Sequence, residues 1–297
     1  MKKTEGYPQP FGASRRGRSV NLAVCVPKDV SCELLLYKKG ESEPDQVIEM
    51  PAEEGIGEVR FLALEDLEET QYEYNYRIDG TVCLDPYVRE IAGHKMFGTG
   101  WEFNRHQIRG RFLQRGYDWE GDKRPQIPVQ DVIAYSLHVR GFTMHSSSRV
   151  KHKGTFLGVR EKLPYLKELG INQIQCMPVY EFEDHIRLAR NYWGYGEAYC
   201  FAPKSRYASS NPVRELKEMV KACHQAGIEV ILHLPFYDAM PKQKMIECLR
   251  YYRQEFHADG FVVNPYTVPL EVIQSDDYLK NLKLIVKNDE FQTVMRR

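Results

Sequence analysis

The chain has 297 residues, a mass of 34.7 kDa, and 41 basic against 41 acidic side chains, so its formal net charge is zero. With 42% hydrophobic and 28% charged residues the composition is ordinary for a globular protein, which argues against disorder over the whole chain. The charge balance argues against a protein built mainly to hold nucleic acid or an anionic membrane.

At roughly 100–200 residues per domain, the length allows two domains. No stretch approaches the roughly 18 uncharged apolar residues of a membrane helix. The start, Met1-Lys2-Lys3-Thr4-Glu5-Gly6, runs into Tyr7-Pro8-Gln9-Pro10, which predicts no ordinary secretory signal. Seven cysteines (Cys25, Cys32, Cys83, Cys176, Cys200, Cys223 and Cys248) are odd in number and include no Cys-x-x-Cys pair. They argue for reduced, buried thiols in a cytoplasmic protein, not for a disulfide framework or a zinc ribbon. Aromatic residues make up 12%, with 19 tyrosines, and composition favours core filling over a sugar-stacking surface.

Residues 1–110 read as β-structure. Val20–Val26 is a β-prone run stopped by Pro27, and Cys32–Tyr37 is a second, followed by the charged turn Lys38-Lys39-Gly40-Glu41. Val59–Leu64 alternates in part. Tyr72–Ile78 alternates cleanly, with Tyr72, Tyr74, Tyr76 and Ile78 on one face, which assigns those tyrosines to a core. Asp79-Gly80 is a turn dipeptide, and Val82–Leu84 follows at hairpin distance. Short strands with turn signals and no long helix predict a β-sandwich. Residues 98–130 read as a connector, with Gly98, Gly100, Gly110, Gly116 and Gly121 and the closing Pro125-Gln126-Ile127-Pro128, and 111–130 is its linking part.

From Asp131 the rhythm changes. Val132–Val139 reads as a strand, Val159–Leu169 as a helix stopped at Gly170, and Ile171–Met177 as the next strand. Asn211-Pro212 is an N-cap followed by proline at the first helical position, and that helix runs to Gly227. Ile228–Leu232 is a strand, Lys242–His257 a helix, Gly260–Asn264 a strand, Pro269–Ile273 a short helix and Leu282–Val286 a fifth strand. Alternating strands and helices predict a parallel sheet, open or closed.

Several segments together resemble one family. Pro10-Phe11-Gly12-Ala13-Ser14, Val20–Val24 and Cys32–Tyr37 resemble the glucan-associated, immunoglobulin-like β-sandwich of isoamylase and pullulanase type debranching enzymes, and Leu84-Asp85-Pro86-Tyr87 resembles its exit. His138-Val139-Arg140-Gly141-Phe142-Thr143 resembles the first barrel strand, and Lys162–Ile171 the first helix. Asn191-Tyr192-Trp193-Gly194-Tyr195 and Phe201–Ala208 are similar to a family signature. The chain is identified as a member of the α-amylase superfamily of glycoside hydrolases (family 13), glycogen-debranching branch. The resemblance implies a (β/α)₈ TIM barrel at residues 131–297, preceded by a carbohydrate-binding-type module at 1–110.

Retaining glycoside hydrolysis needs a nucleophilic carboxylate and a carboxyl acid/base. The resemblance places the nucleophilic Asp where this chain has Asn264, in Gly260-Phe261-Val262-Val263-Asn264, and a neighbouring Arg where it has Val262. It places the acid/base Glu where this chain has Lys287, after Leu284-Ile285-Val286. The third-strand run is replaced by His233-Leu234-Pro235-Phe236-Tyr237-Asp238. No catalytic group is intact, so catalytic inactivity is expected. Asp238, Glu181, Glu183 and Asp184, near predicted strand ends, are carboxylates for an alternative pair, though loop carboxylates are usually only solvated.

For binding, the resemblance gives Tyr195 a stacking role on sugar, with Trp193 beside it; for both, packing under the loop is the bland reading. His233 and Asp238 lack a third metal ligand, so no metal and no cofactor is expected. Ser146-Ser147-Ser148 with Arg149, Lys151 and Lys153 is a polar basic loop, solvated or in contact with phosphate.

About 165 residues follow Asp131, whereas a full barrel needs at least roughly 200. Five strands do not close that barrel, and the tail Asp289–Arg297 reads as the middle of a family sequence. The expectation is an incomplete barrel, either part of a longer protein or completed by a partner or a second copy. Three functional readings follow. The first is an inactive, α-glucan-binding or regulatory relative of debranching enzymes, or a gene fragment. The second is an active hydrolase of α-1,6-branched glucan with groups supplied from outside this chain. The third is an interaction protein without sugar affinity. No nucleic acid and no membrane partner is expected.

Overall fold

The computed structural model describes residues 1–92, 97, 108–113, 116–186 and 189–287. Gly98 and Gly100 of the connector and the tail Asp289–Arg297 lie outside the described residues. The chain divides into two units, Met1–Gly116 and Tyr117–Arg297. The first unit thus reaches past residue 110, and the rest of the expected linker, from Tyr117 to Gln130, belongs to the second.

The first unit holds β1 (Lys2–Thr4), β2 (Gly12–Arg16), β3 (Ser19–Cys25), β4 (Cys32–Lys38), β5 (Gln46–Glu49), β6 (Val59–Glu65), β7 (Tyr72–Ile78), β8 (Thr81–Cys83), β9 (Ile91–Ala92) and β10 (Arg109–Arg111). Antiparallel pairing gives one sheet in the order β1-β6-β3-β2. It gives a second in the order β5-β4-β7-β10-β9, with β8 also on β7. The two sheets share one core, with Leu22 and Val24 from β3, Leu34 and Leu36 from β4, Leu62 and Leu64 from β6 and Tyr74 and Tyr76 from β7. Each fully buried leucine contributes about 2 kcal/mol of transfer free energy. Tyr74 and Tyr76 are therefore core, and Tyr72 packs partly buried against it. The Tyr74 hydroxyl donates to Asp85 Oδ2 at 2.8 Å, which satisfies it in an apolar setting. Its ring stacks on Phe112 at 4.9 Å and lies over Gly110, where a Cβ would stand 2.7 Å from a ring carbon.

The second unit is built on five parallel strands. These are β11 (Ala134–Leu137), β12 (Gln173–Cys176), β17 (Glu229–His233), β18 (Gly260–Val263) and β19 (Lys283–Val286), each beside the next. Between them run α1 (Val139–Met144), α2 (Phe156–Glu161), α3 (Leu163–Glu168), α4 (Pro212–Gln225), α5 (Lys242–Glu255) and α6 (Leu270–Ser275). After β12 the chain also forms two small hairpin-like sheets. One pairs β13 (Tyr180–Phe182) with β16 (Ala198–Pro203); the other pairs β14 (His185–Ile186) with β15 (Ala189–Arg190). Val230, Ile231 and Leu232 are all fully buried, as in a parallel sheet covered on both faces. The flanking strands β11 and β19 are partly exposed.

The expected helix Val159–Leu169 is in fact two. Pro164 lacks an N–H and its ring clashes with a carbonyl one turn back, so α2 stops before Lys162 and α3 starts with Pro164 near its head. The expected strand Val132–Val139 is shortened because His138 caps α1, its Nδ1 accepting from Gly141 N at 2.9 Å.

Residues 117–130 are fixed at the N-terminal end of the parallel sheet. The Asp122 carboxylate meets His224 Nδ1 and His257 Nδ1, each at 2.8 Å, and Trp119 stacks on His257 at 3.7 Å. His224 Nε2 meets Asp259 Oδ2 at 2.9 Å, and that oxygen also accepts from Val230 N. Among the described residues no helix is long and apolar enough to cross a membrane.

Candidate functional site

Parallel pairing brings the strand ends of β17, β18 and β19 side by side. His233 pairs with Val262, Val262 with Ile285, and Val263 with Val286. Lys287 N donates to Val263 O at 3.1 Å, so Lys287 and Asn264 follow neighbouring strand ends. His233, Val262, Asn264 and Lys287, singled out in the sequence, therefore stand on one rim.

Asn264 is 9% exposed, and its Oδ1 accepts from Tyr266 N at 3.0 Å. Its carbonyl accepts from Thr267 N and Val268 N, so the residue folds the loop after β18 back on itself. Val262 is 1% exposed, an apolar side chain where the resemblance expects a long cation. Asp238 accepts from Thr267 Oγ1 at 3.2 Å, which ties the loop after β17 to the loop after β18. Burial pulls the His233 pKa down to about 4, and the Lys287 charge pushes the same way. His233 is thus neutral near pH 7, and the effect places the Lys287 charge within electrostatic reach of it.

Tyr195 reaches this rim from the segment between β12 and α4. Its hydroxyl lies 3.3 Å from His233 Nδ1, with the rings edge to face at 5.5 Å. Asn191 builds the turn that presents it. Its Nδ2 donates to Tyr195 O at 2.9 Å, and its Oδ1 accepts from Gly194 N at 3.1 Å. Gly194 has φ +82°, a conformation glycine adopts without strain.

Trp193, 37% exposed, sits edge-on to His138 at 5.7 Å and to Tyr192 at 5.2 Å. Tyr192 stacks on His138 at 4.4 Å. Gly141 N donates to His138 Nδ1, so the ring proton sits on Nε2, which donates to Tyr192 O at 2.8 Å with the Tyr207 hydroxyl at 2.9 Å. Burial lowers the His138 pKa to about 4. The sequence run His138–Thr143 suggests a strand and gives no sign of this capping and stacking role of His138.

Glu181 and Asp184 have no exposed side-chain surface and both pair with the equally buried Lys204, at 2.7 and 3.0 Å. Glu183 accepts from His185 N at 3.2 Å. In the basic loop, His145 caps the turn Ser146–Ser148, and Glu161 takes Lys151 N at 2.7 Å. His233 and Asp238 engage Tyr195 and Thr267. Among the described residues no three His, Cys, Asp or Glu side chains are grouped to hold a metal.

With this geometry in view, the family described as "Alpha amylase, catalytic domain" matches residues 126–256. The chain is 30% identical to chloroplastic isoamylase 1 of Arabidopsis thaliana, across 87% of this chain and 43% of that protein. It is 33% identical to the glycogen debranching enzyme of Erwinia tasmaniensis, across 80% of this chain and 40% of that protein. The chain thus spans less than half the length of these relatives. Its fold is similar to that of a pullulanase from Paenibacillus barengoltzii solved with maltohexaose and alpha-cyclodextrin. That similarity has a TM-score of 0.74 and 19% identity, over 91% of this chain and 51% of that one.

Proposed function

The chain belongs to the debranching branch of the α-amylase superfamily, and from that premise we propose that it binds α-glucan without cleaving it. The observation that carries this reading is the pair Asn264 and Lys287 at neighbouring strand ends, where the family's mechanism needs two carboxyl groups. An amide supplies no anionic oxygen to attack an anomeric carbon. A lysine ammonium does not both donate and recapture a proton as the acid/base must. Neutral His233 beside Lys287 adds no carboxyl in their place.

Aromatic surface supports retained binding. Trp193 and Tyr195 are held by Asn191 and by neighbouring rings, and aromatic faces bind sugars by covering their C–H surface. That the Paenibacillus neighbour was solved with maltohexaose supports α-glucan as the ligand class. In this reading the parallel sheet is part of an incomplete (β/α)₈ barrel and the first unit an immunoglobulin-like, glucan-associated module. The reduced-thiol pattern fits a cytoplasmic setting, with five of the seven cysteines (Cys32, Cys176, Cys200, Cys223 and Cys248) buried.

The test is paired. Glycogen and amylopectin pull-down of the pure chain retains it, and Trp193→Ala with Tyr195→Ala weakens retention at least about tenfold. Reducing-sugar assays on pullulan, glycogen and amylopectin show no release above background. Sustained release would overturn the inactive assignment, and absence of glucan retention would leave an interaction protein.

A further inference from the structure

The lysine beneath the aromatic turn has the surroundings of a bound cation. Three oxygens converge on the Lys204 ammonium: Glu181 Oε1 at 2.7 Å, the Phe182 carbonyl at 2.7 Å and Asp184 Oδ2 at 3.0 Å. The three charged side chains have no exposed surface. The Phe182 ring centroid lies 4.1 Å from the same nitrogen. Burying two carboxylates is costly unless a cation and hydrogen bonds satisfy them. Here Ser205 N donates to the second Glu181 oxygen at 2.8 Å, and the electrostatic influence of both carboxylates reaches Arg206. Two carboxylates and a carbonyl around one point form a set of hard oxygen donors of the kind that suits calcium.

This cage is connected to the turn that carries Trp193 and Tyr195. The Asp184 carbonyl accepts from Asn191 N at 3.1 Å, and Asn191 builds that turn. Gly194 packs directly on the Phe182 ring, where a Cβ would stand 2.5 Å from a ring carbon. The path from ammonium to aromatic platform therefore runs through Phe182 and through Asp184.

We propose that Lys204 is a tethered cation. Its ammonium stands where a free hard cation would otherwise hold Glu181 and Asp184, and it positions the Trp193–Tyr195 turn without any metal. A chain that lacks the ammonium but keeps the oxygens then becomes a calcium site. Lys204→Ala leaves room for the ion; Lys204→Met fills the same space with an apolar stem.

The experiment compares thermal midpoints in EDTA and in millimolar calcium chloride for the full chain and both variants, with calorimetric titration of calcium and glycogen retention. The wild-type midpoint is expected to be the same in both buffers. Both variants melt roughly 10 °C lower in EDTA. Calcium restores Lys204→Ala through one titratable site and leaves Lys204→Met unchanged. An EDTA-sensitive wild type would overturn the proposal. So would a Lys204→Ala chain as stable as wild type, or one that calcium does not rescue; a variant that is insoluble in both buffers counts as not rescued. The glycogen readout rests on the proposed binding function, whereas the calcium readouts do not. If wild type binds glycogen and calcium-loaded Lys204→Ala does not, the positioning role is lost. If wild type itself does not bind, the binding function fails and the tethered cation stands or falls on its midpoints.

Discussion

Asn264 has a structural task at the end of β18. Its amide oxygen and its carbonyl hold the loop after β18. Val262 is packed into the sheet, and Lys287 lies close enough to influence His233. Catalytic groups that act as a unit are strongly non-additive. The double change Asn264→Asp with Lys287→Glu is therefore expected to leave pullulan and glycogen hydrolysis at background, at least about 10³-fold below an intact set. Measurable turnover in that variant would show that the remaining differences matter little.

The buried histidines make a separate prediction. His138 and His233 have folded pKa values of about 4, below their ordinary 6.5. The unfolded chain therefore binds protons that the folded chain refuses, and stability falls as pH drops from about 6.5 towards 4, by on the order of 3 kcal/mol for His138 alone. At His224, burial pulls the pKa down, but the bonds and charges of Asp259 and Asp122 outweigh it and the net shift is upward. Its contribution is full below about 6.5 and is lost as pH rises through the raised value. Denaturation midpoints between pH 4 and 9 should peak near neutrality, and His138→Gln should flatten the acid limb. An acid limb unchanged by that substitution would contradict the assignment. The strand ends that carry Asn264 and Lys287 were legible in the sequence because the β-prone runs ending at Val263 and Val286 precede them. The roles of His138 and Lys204 were not, because they arise only when residues 54 and 23 positions apart meet.

At the scale of elements, the parallel strands and the long helices were legible where period and punctuation agree. Asn211 is the clearest case: its Oδ1 accepts from Arg214 N at 2.8 Å, with Pro212 next in line. Asn211→Ala is expected to cost about 1 kcal/mol and lower the thermal midpoint of the second unit by roughly 2–4 °C, read by calorimetry. A shift below about half a degree would mean that packing of Val213, Leu216 and Val220 alone fixes the helix start. Other elements carried no such signal. β1 and β2 are polar and basic, and exist because β6 and β3 pair with them. The β13–β16 pair has a bulge between Tyr180 and Glu181, so its alternation is broken where it would be read. The apolar spacing of Val159, Leu163, Leu166 and Leu169 spans both α2 and α3, so the period reads as one helix despite Pro164.

At the scale of the molecule, the parallel sheet raises the question of its flanks. Among the described residues β11 pairs only with β12, and β19 only with β18. Beside β11, Val129 is 79% and Ile133 53% exposed; Val286 of β19 is 48% exposed, and Val272 and Tyr278 near it are 49% and 57%. A strand with a free edge presents unpaired N–H and C=O groups, and parallel sheets are ordinarily covered. Pairing β19 of one copy with β11 of another would keep all strands parallel and cover both apolar borders. The 297-residue chain is therefore expected to self-associate in solution, with a mass by light scattering of at least twice 34.7 kDa. Ile133→Lys with Val286→Lys, each at an exposed apolar position next to or on an edge strand, should shift the distribution towards monomer by roughly tenfold in dissociation constant while circular dichroism is unchanged. The β-sandwich has its own core and should stay folded through either change. A monodisperse 34.7 kDa species, with protease-resistant sequence in both units, would mean that the flanks of the sheet are covered from within the chain.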